Sequence, residues 1–218
     1  MQNIFSTHRR TMSLLGLGLI GLIIVMTNWP LPETLVLAVP FTDQAPTGRW
    51  DRNEDCEETS IAMAHAYFEG NRDNELTVAL AQEYIAKLRK WEANNIGYNA
   101  DTGAYTTSRM AEKVFDITVK QIRDYTEKDL KKELSRGHVV LLPINARLLP
   151  IYTDSGPFYH MIVVRGYNAS GFIVNDPGTT QGNGMIYSFD TLKQAAADWN
   201  NSAKTMDATI KIALILSK

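Results

Sequence analysis

Asp55-Cys56-Glu57-Glu58-Thr59-Ser60-Ile61-Ala62-Met63-Ala64-His65-Ala66-Tyr67-Phe68-Glu69-Gly70 is the stretch on which the reading of this chain turns. Cys56 is the only cysteine among 218 residues. It stands where a turn-rich segment (residues 45–53, with Pro46, Gly48 and Asn53) gives way to apolar positions at helical spacing. Ile61, Ala64, Tyr67 and Phe68 recur along one face and Gly70 supplies a stop, so the spacing predicts a helix over 57–69. A thiol in the first turn of a helix lies near free backbone N–H groups at the positive end of the dipole. That setting turns a thiol of pKa about 8.5 into a thiolate near neutral pH. The same N–H groups offer a place for an oxyanion. Free cysteines are also among the most buried residues, so the local sequence leaves a nucleophile and a structural thiol both open.

Working outward, the composition removes several classes of function. The net charge is −2, and no Lys/Arg run is interleaved with aromatics, so nucleic acid is not an expected partner. One cysteine allows no intrachain disulfide framework and no zinc site built on cysteine pairs. His8, His65, His138 and His160 show no metal-ligating spacing, and there is no phosphate loop or dinucleotide fingerprint. No cofactor or metal is expected. With 44% apolar residues the chain can bury a substantial core as one domain.

The N-terminus has the layout of an export signal: His8, Arg9 and Arg10, then an uncharged apolar run over 12–26. That run is about 15 residues long, short of the roughly 20 that a spanning helix needs. Residues 27–31, with an interfacial Trp29, extend it to a marginal span. No Ala-x-Ala site closes it. The favoured reading is an uncleaved signal anchor over 1–28, with a cleaved signal peptide as the alternative. Either places the remainder outside the cytoplasmic membrane. Residues 29–38, with Pro30 and Pro32, read as a linker, and 39–218 as the domain.

Helical patterns continue over 76–94 and 108–115. Thr126 to Asp129 resembles a capping box, followed by Leu130, Leu134 and the stop Gly137. The second half changes character. Segments 139–144, 161–164, 172–174, 185–189 and 209–216 are β-branched or aromatic runs between turn signals, with one short helix over 190–199. Helices first and strands later predict an α+β fold with a helical lobe packed on an antiparallel sheet.

A cysteine nucleophile needs a base and a group to orient that base. His160 opens the apolar strand Met161-Ile162-Val163-Val164 after a Gly156-Pro157 turn, and is the candidate base. Strands 161–166 and 172–175 form a predicted hairpin about a turn at 168–171, which returns Asp176 to the level of His160. Side chains alternate faces. The two therefore share a face only for an odd turn, and Asn175 is the rival orienter in the other register. Gln44, in a loop preceding the Cys56 helix, is a neutral candidate for a second oxyanion donor.

Four segments in this order carry a resemblance. Val39-Pro40-Phe41-Thr42-Asp43-Gln44, Asp55-Cys56-Glu57-Glu58-Thr59-Ser60, Tyr159-His160-Met161-Ile162-Val163-Val164-Arg165-Gly166-Tyr167 and Val174-Asn175-Asp176-Pro177-Gly178 resemble the family thirty-nine-like cysteine peptidases. These are papain-clan relatives of the bacteriocin leader peptidases. The resemblance spans about residues 39 to 200. It implies a papain-like fold, Cys56 as nucleophile, His160 as general base, Asp176 as orienter and Gln44 as oxyanion donor. Many members follow the nucleophile with Gly-Pro-Thr-Ser, where this chain has Glu57-Glu58-Thr59-Ser60. Those carboxylates suit a helix N-terminus, oppose thiolate formation together with Asp55, and are candidates to favour a basic group on the substrate. The expected function is hydrolysis of a peptide or amide bond outside the membrane. The alternatives are a membrane-tethered peptide-binding module without turnover, or a peptidoglycan amide hydrolase on the same triad, as in NlpC-type enzymes.

Overall fold

A computed structural model describes residues 30–50, 54–97, 100–152 and 157–218. The predicted export signal, the Asp51–Asn53 end of the first turn segment and the Ser155-Gly156 turn lie outside the described residues. Among those described, no helix is long and apolar enough to cross a membrane. Residues from Glu33 to Lys218 form one compact unit.

Among the described residues, the first half supplies three helices, α1 (Cys56–Phe68), α2 (Val78–Asn95) and α3 (Ala104–Phe115). The second half supplies strands β2 (Thr118–Arg123), β3 (Val139–Ile144), β4 (His160–Asn168), β5 (Gly171–Asn175), β6 (Met185–Tyr187) and β9 (Ile212–Ser217). Helix α4 (Glu127–Leu134) connects β2 to β3, and α5 (Phe189–Ala195) follows β6. A two-stranded ribbon, β7 (Asp198–Asn200) and β8 (Thr205–Asp207), precedes β9. The main sheet runs β2-β9-β3-β4-β5-β6, and every neighbouring pair is antiparallel. This is the predicted α+β arrangement.

Strand β3 is buried at every position and β9 at all but its last, which explains their continuous apolar reading. Helix α1 is buried along most of its length, from Cys56 to Ala66. Its Ile61, Met63 and Ala64 share one core with Met161 to Val164 of β4. The capping box forms as predicted: Thr126 Oγ1 accepts from Asp129 N, and Asp129 Oδ2 accepts from Thr126 N.

Four differences from expectation stand out, three of them with a physical cause in distant contacts or exposure. Helix α3 starts at Ala104 rather than 108, because Asp198 and Asn201, distant in sequence, accept the N–H groups of Ala104 (2.8 Å) and Gly103 (3.0 Å). Strand β2 escaped notice because it is a polar edge strand, Thr-Val-Lys-Gln-Ile-Arg, with little buried surface. The helix predicted to reach 199 ends at Ala195, and β7 begins at Asp198. The predicted linker is shorter than 29–38: Leu35–Val36 form β1, which pairs with Tyr167 and Gly166 of β4, while Leu37 is buried. Gly166 permits that approach, since a Cβ there would lie 2.3 Å from Leu35 O.

Candidate active site

Cys56 is the first residue of α1 and is 2% exposed. Asp55 precedes it as N-cap, but its carboxylate does not cap the helix; it pairs with Arg89 of α2. The helix start is held against the sheet by Ser60 Oγ, which donates to Met161 O at 3.2 Å. That bond ties α1 to the start of β4, which His160 opens.

His160 Nε2 lies 2.7 Å from Asp176 Oδ1. A carboxylate only accepts, so Nε2 carries the proton and Nδ1 is the basic nitrogen of the neutral ring. The pairing of Asp176, rather than Asn175, follows from a β-bulge. The β4–β5 turn is even: Asn168 pairs with Gly171, and the register runs through Tyr167–Phe172 and Gly166–Ile173. Continued unchanged, it would set Asn175 on the face of His160. Between Gly166 and Val164 the register slips by one residue, to Val164–Val174 and Val163–Asn175. One extra residue inverts the parity of everything beyond it, and Asp176 comes onto the His160 face. Asn175 turns instead to the frame. Its amide oxygen accepts from Arg165 Nε (2.7 Å) and Gly184 N (3.2 Å), and its Nδ2 donates to Val39 O (3.1 Å).

Two further groups converge on Asp176 Oδ1: Tyr152 Oη and Gly178 N each donate at 2.9 Å. Burial alone would raise the Asp176 pKa. The His160 charge and hydrogen bond, with those of Gly178 and Tyr152, outweigh it and hold the carboxyl below its ordinary value. The Tyr152 ring also meets His160 edge-on, with centroids 5.9 Å apart. Gly178 has no room for a side chain, because a Cβ would lie 2.3 Å from Tyr152 Oη and 2.9 Å from His160 Nε2. Nothing in the sequence marks Tyr152. Gly178 was visible only as part of an Asp-Pro-Gly turn. Gln44 is anchored to the same turn by its N–H, which donates to Pro177 O at 2.9 Å.

The nucleophile candidate has an unexpected partner. Cys56 Sγ donates to Glu57 Oε2 at 2.9 Å, although adjacent side chains on a helix ordinarily diverge. The other carboxylate oxygen, Oε1, accepts from Thr102 N at 2.6 Å, which fixes the group from the loop before α3. Burial, then the Glu57 charge and hydrogen bond, push the Cys56 thiol well above its ordinary pKa, with Asp101 and Glu58 adding to the effect. Burial raises the Glu57 pKa to about 7 against the lowering effects of Cys56, Thr102 and His160. The thiolate expected from the helix dipole is therefore not the resting form. The dipole contributes about 1 kcal/mol, and a buried carboxylate in direct contact outweighs it.

Glu57 and Glu58 are each fully buried, so neither presents a carboxylate to a basic substrate group as expected from the sequence. Both oxygens of Glu58 lack a hydrogen-bond partner among the described residues, and burial followed by the Glu57, Glu92 and Asp55 charges raises its pKa well above the usual range. Among the other histidines, His65 stacks on Phe115 at 3.8 Å, and His138 Nδ1 meets Glu133 Oε2 at 2.9 Å.

A cleft of about 480 Å³ opens beside these groups. It is lined by Gln44, His160 and Gly178, and by Trp50, Glu54, Asp101, Phe158 and Trp199 among others. Gln44 and His160 thus face one space.

A helical lobe whose leading residue is a cysteine, set against an antiparallel sheet carrying a His–Asp pair, is the arrangement of a papain-like cysteine peptidase. The chain belongs to the Peptidase_C39 like family, whose model matches residues 36–206. Family and fold together make it a cysteine-type peptidase by class. A solved structure described as a C39-like peptidase from Bacillus anthracis shares the fold with a TM-score of 0.56 at 18% identity, over 86% of this chain and 98% of that one. A double glycine motif protease from an AMS/PCAT transporter, in complex with the leader peptide, is a looser likeness. Its TM-score is 0.47 at 16% identity, over 83% of this chain and 92% of that one. No curated protein matches this chain.

Proposed function

We propose that the protein hydrolyses a peptide bond through Cys56, His160 and Asp176, with Gln44 and the Cys56 N–H holding the oxyanion. The observation that carries this reading is the 2.7 Å bond from His160 Nε2 to a depressed Asp176 carboxylate. It fixes the tautomer and leaves Nδ1 as the proton acceptor beside the cleft. In the reaction, Cys56 turns its sulfur from Glu57 toward His160 and gives Nδ1 its proton. The thiolate attacks the substrate carbonyl, and the tetrahedral oxyanion is held by the two donors. His160 then protonates the leaving amine. Water, deprotonated by the same nitrogen, releases the acyl group from sulfur. Tyr152 and Gly178 keep Asp176 charged and aimed throughout.

The test is cleavage of a mixed peptide library by the full chain, read by mass spectrometry, beside Cys56→Ala, His160→Ala and Asp176→Ala. Cleavage abolished by the first two and lowered at least a hundredfold by the third supports the reading. Cleavage that survives Cys56→Ala overturns it. A second reading, a peptide-binding module without turnover, is favoured by the Cys56–Glu57 bond that keeps the thiol protonated. Peptide retention without cleavage, unchanged in Cys56→Ala, would decide for it. Muropeptides in the same assay separate peptide from cell-wall hydrolysis. We further propose that residues 1–28 anchor the domain outside the cytoplasmic membrane, resting on the basic-then-apolar order of 8–26. Membrane fractionation with and without residues 1–31 tests this; a chain equally soluble with its N-terminus intact refutes the anchor.

A further inference from the structure

The cleft beside His160 has a composition that the triad does not explain. Among the described residues that line it, two are carboxylates, Glu54 and Asp101, and none is a lysine or arginine. Its walls also carry aromatic faces that water wets: Trp50 is 41% exposed and Phe158 46%. Trp199 completes the wall, its ring 5.6 Å from that of Tyr159. Exposed aromatic surface gathered in one concave place marks a binding site rather than a packing residue.

The chemistry of that wall is specific. Glu54 and Asp101 line the cleft together, and burial, then the neighbouring Glu54 carboxyl and the Glu57 charge, raise the Asp101 carboxyl to about 8. Asp101 Oδ1 has no hydrogen-bond partner among the described residues. Neighbouring carboxylates repel, and a cation placed between them relieves that repulsion. The aromatic wall already receives a cation from the chain itself: the Arg147 guanidinium lies 5.4 Å from the Phe158 ring centroid. A neutral aliphatic group would satisfy the rings but strip water from the carboxylates without replacing it. A lysine or arginine satisfies both.

We infer that this cleft receives a cationic side chain of the peptide substrate, lysine or arginine within about two positions of the scissile bond. Glu54 and Asp101 hold the charge, and Trp50, Phe158 and Trp199 flank the stem. The preference for a basic group that the sequence assigned to Glu57 and Glu58 thereby passes to two residues outside helix α1. The inference rests on the peptidase reading of the adjoining groups.

The experiment compares matched fluorogenic peptides carrying Lys, Arg, Gln or Met at each position flanking one cleaved bond, using the full chain. We expect kcat/KM for the best Lys or Arg peptide to exceed that for its Gln counterpart about tenfold, equivalent to ~1.4 kcal/mol. That ratio should shrink as salt rises from low to molar ionic strength, where screening reaches partly exposed carboxylates. In Glu54→Gln/Asp101→Asn, or in Glu54→Gln alone should the double variant not fold, the ratio should fall toward one. A Lys-to-Gln ratio near one in the wild type overturns the inference, as does a preference that survives the charge-removing variant or a stronger preference for Met. Absence of cleavage of every peptide counts instead against the peptidase reading.

Discussion

Replacing Glu57 by glutamine isolates what the neighbour does to the Cys56 thiol. The swap keeps the volume, and Oε1 can still accept from Thr102 N at 2.6 Å. It replaces the oxygen 2.9 Å from Cys56 Sγ by an N–H₂ that donates. Two unit charges 2.9 Å apart at an effective dielectric near 20 repel by about 6 kcal/mol, an upper bound for what the thiolate meets. Glu57, titrating at about 7, escapes part of this by taking up a proton. Even a quarter of the repulsion, about 1.4 kcal/mol, multiplies the thiolate population tenfold. Iodoacetamide labelling at pH 7 measures the effect without a substrate, and because Cys56 is the only cysteine the adduct mass is unambiguous. Burial slows both proteins alike, so the rate ratio is the readout. Glu57→Gln should label at least ten times faster than the wild type, with a melting temperature within a few degrees. A ratio near one in a folded variant refutes the reasoning, as does a wild-type thiol that labels as fast as free cysteine.

Two other outcomes follow from the same geometry. Gly178→Ala introduces a methyl 2.3 Å from Tyr152 Oη and 2.9 Å from His160 Nε2; peptide cleavage should fall at least tenfold while circular dichroism stays native, and full activity would show that Asp176 needs no such fit. The stability of the wild type should fall as pH rises from about 5 to 8, because Glu57 titrates at about 7 folded against 4.5 unfolded and its contribution is complete only below 4.5. Over that interval Glu57→Gln should gain up to about 3 kcal/mol on the wild type in urea unfolding, at about 1.36 kcal/mol per pH unit, and a constant difference between pH 5 and 8 refutes the assignment. His65, depressed to about 4 by burial, acts in the opposite direction and loses its contribution as pH falls from 6.5, so the comparison is made between the two proteins rather than on the wild type alone.

Much of the fold was legible because it rests on local signals. The capping box at Thr126–Asp129, the apolar runs of β3 and β4 and the glycine stop at Gly70 each act within a few residues. The elements that escaped depend on distant partners. The first turn of α3 is capped from Asp198 and Asn201, and β2 is a strand because β9 pairs with it along its whole length. The linker was overextended because β1 gains its hydrogen bonds from Gly166 and Tyr167, far along the chain.

At the site, the residues and their order along the chain were set by the sequence alone: a cysteine opening a helix, a histidine opening an apolar strand, an aspartate closing a hairpin, a glutamine upstream. Their chemical states were decided by tertiary structure. A single bulge chose Asp176 over Asn175, since strand parity depends on every residue between two positions and not on their identities. The direction in which Cys56 points, and the proton it keeps, depend on burial and on the pinning of Glu57 by Thr102, forty-five residues away. Electrostatic energy scales with distance and dielectric, and neither is written in a linear order of residues.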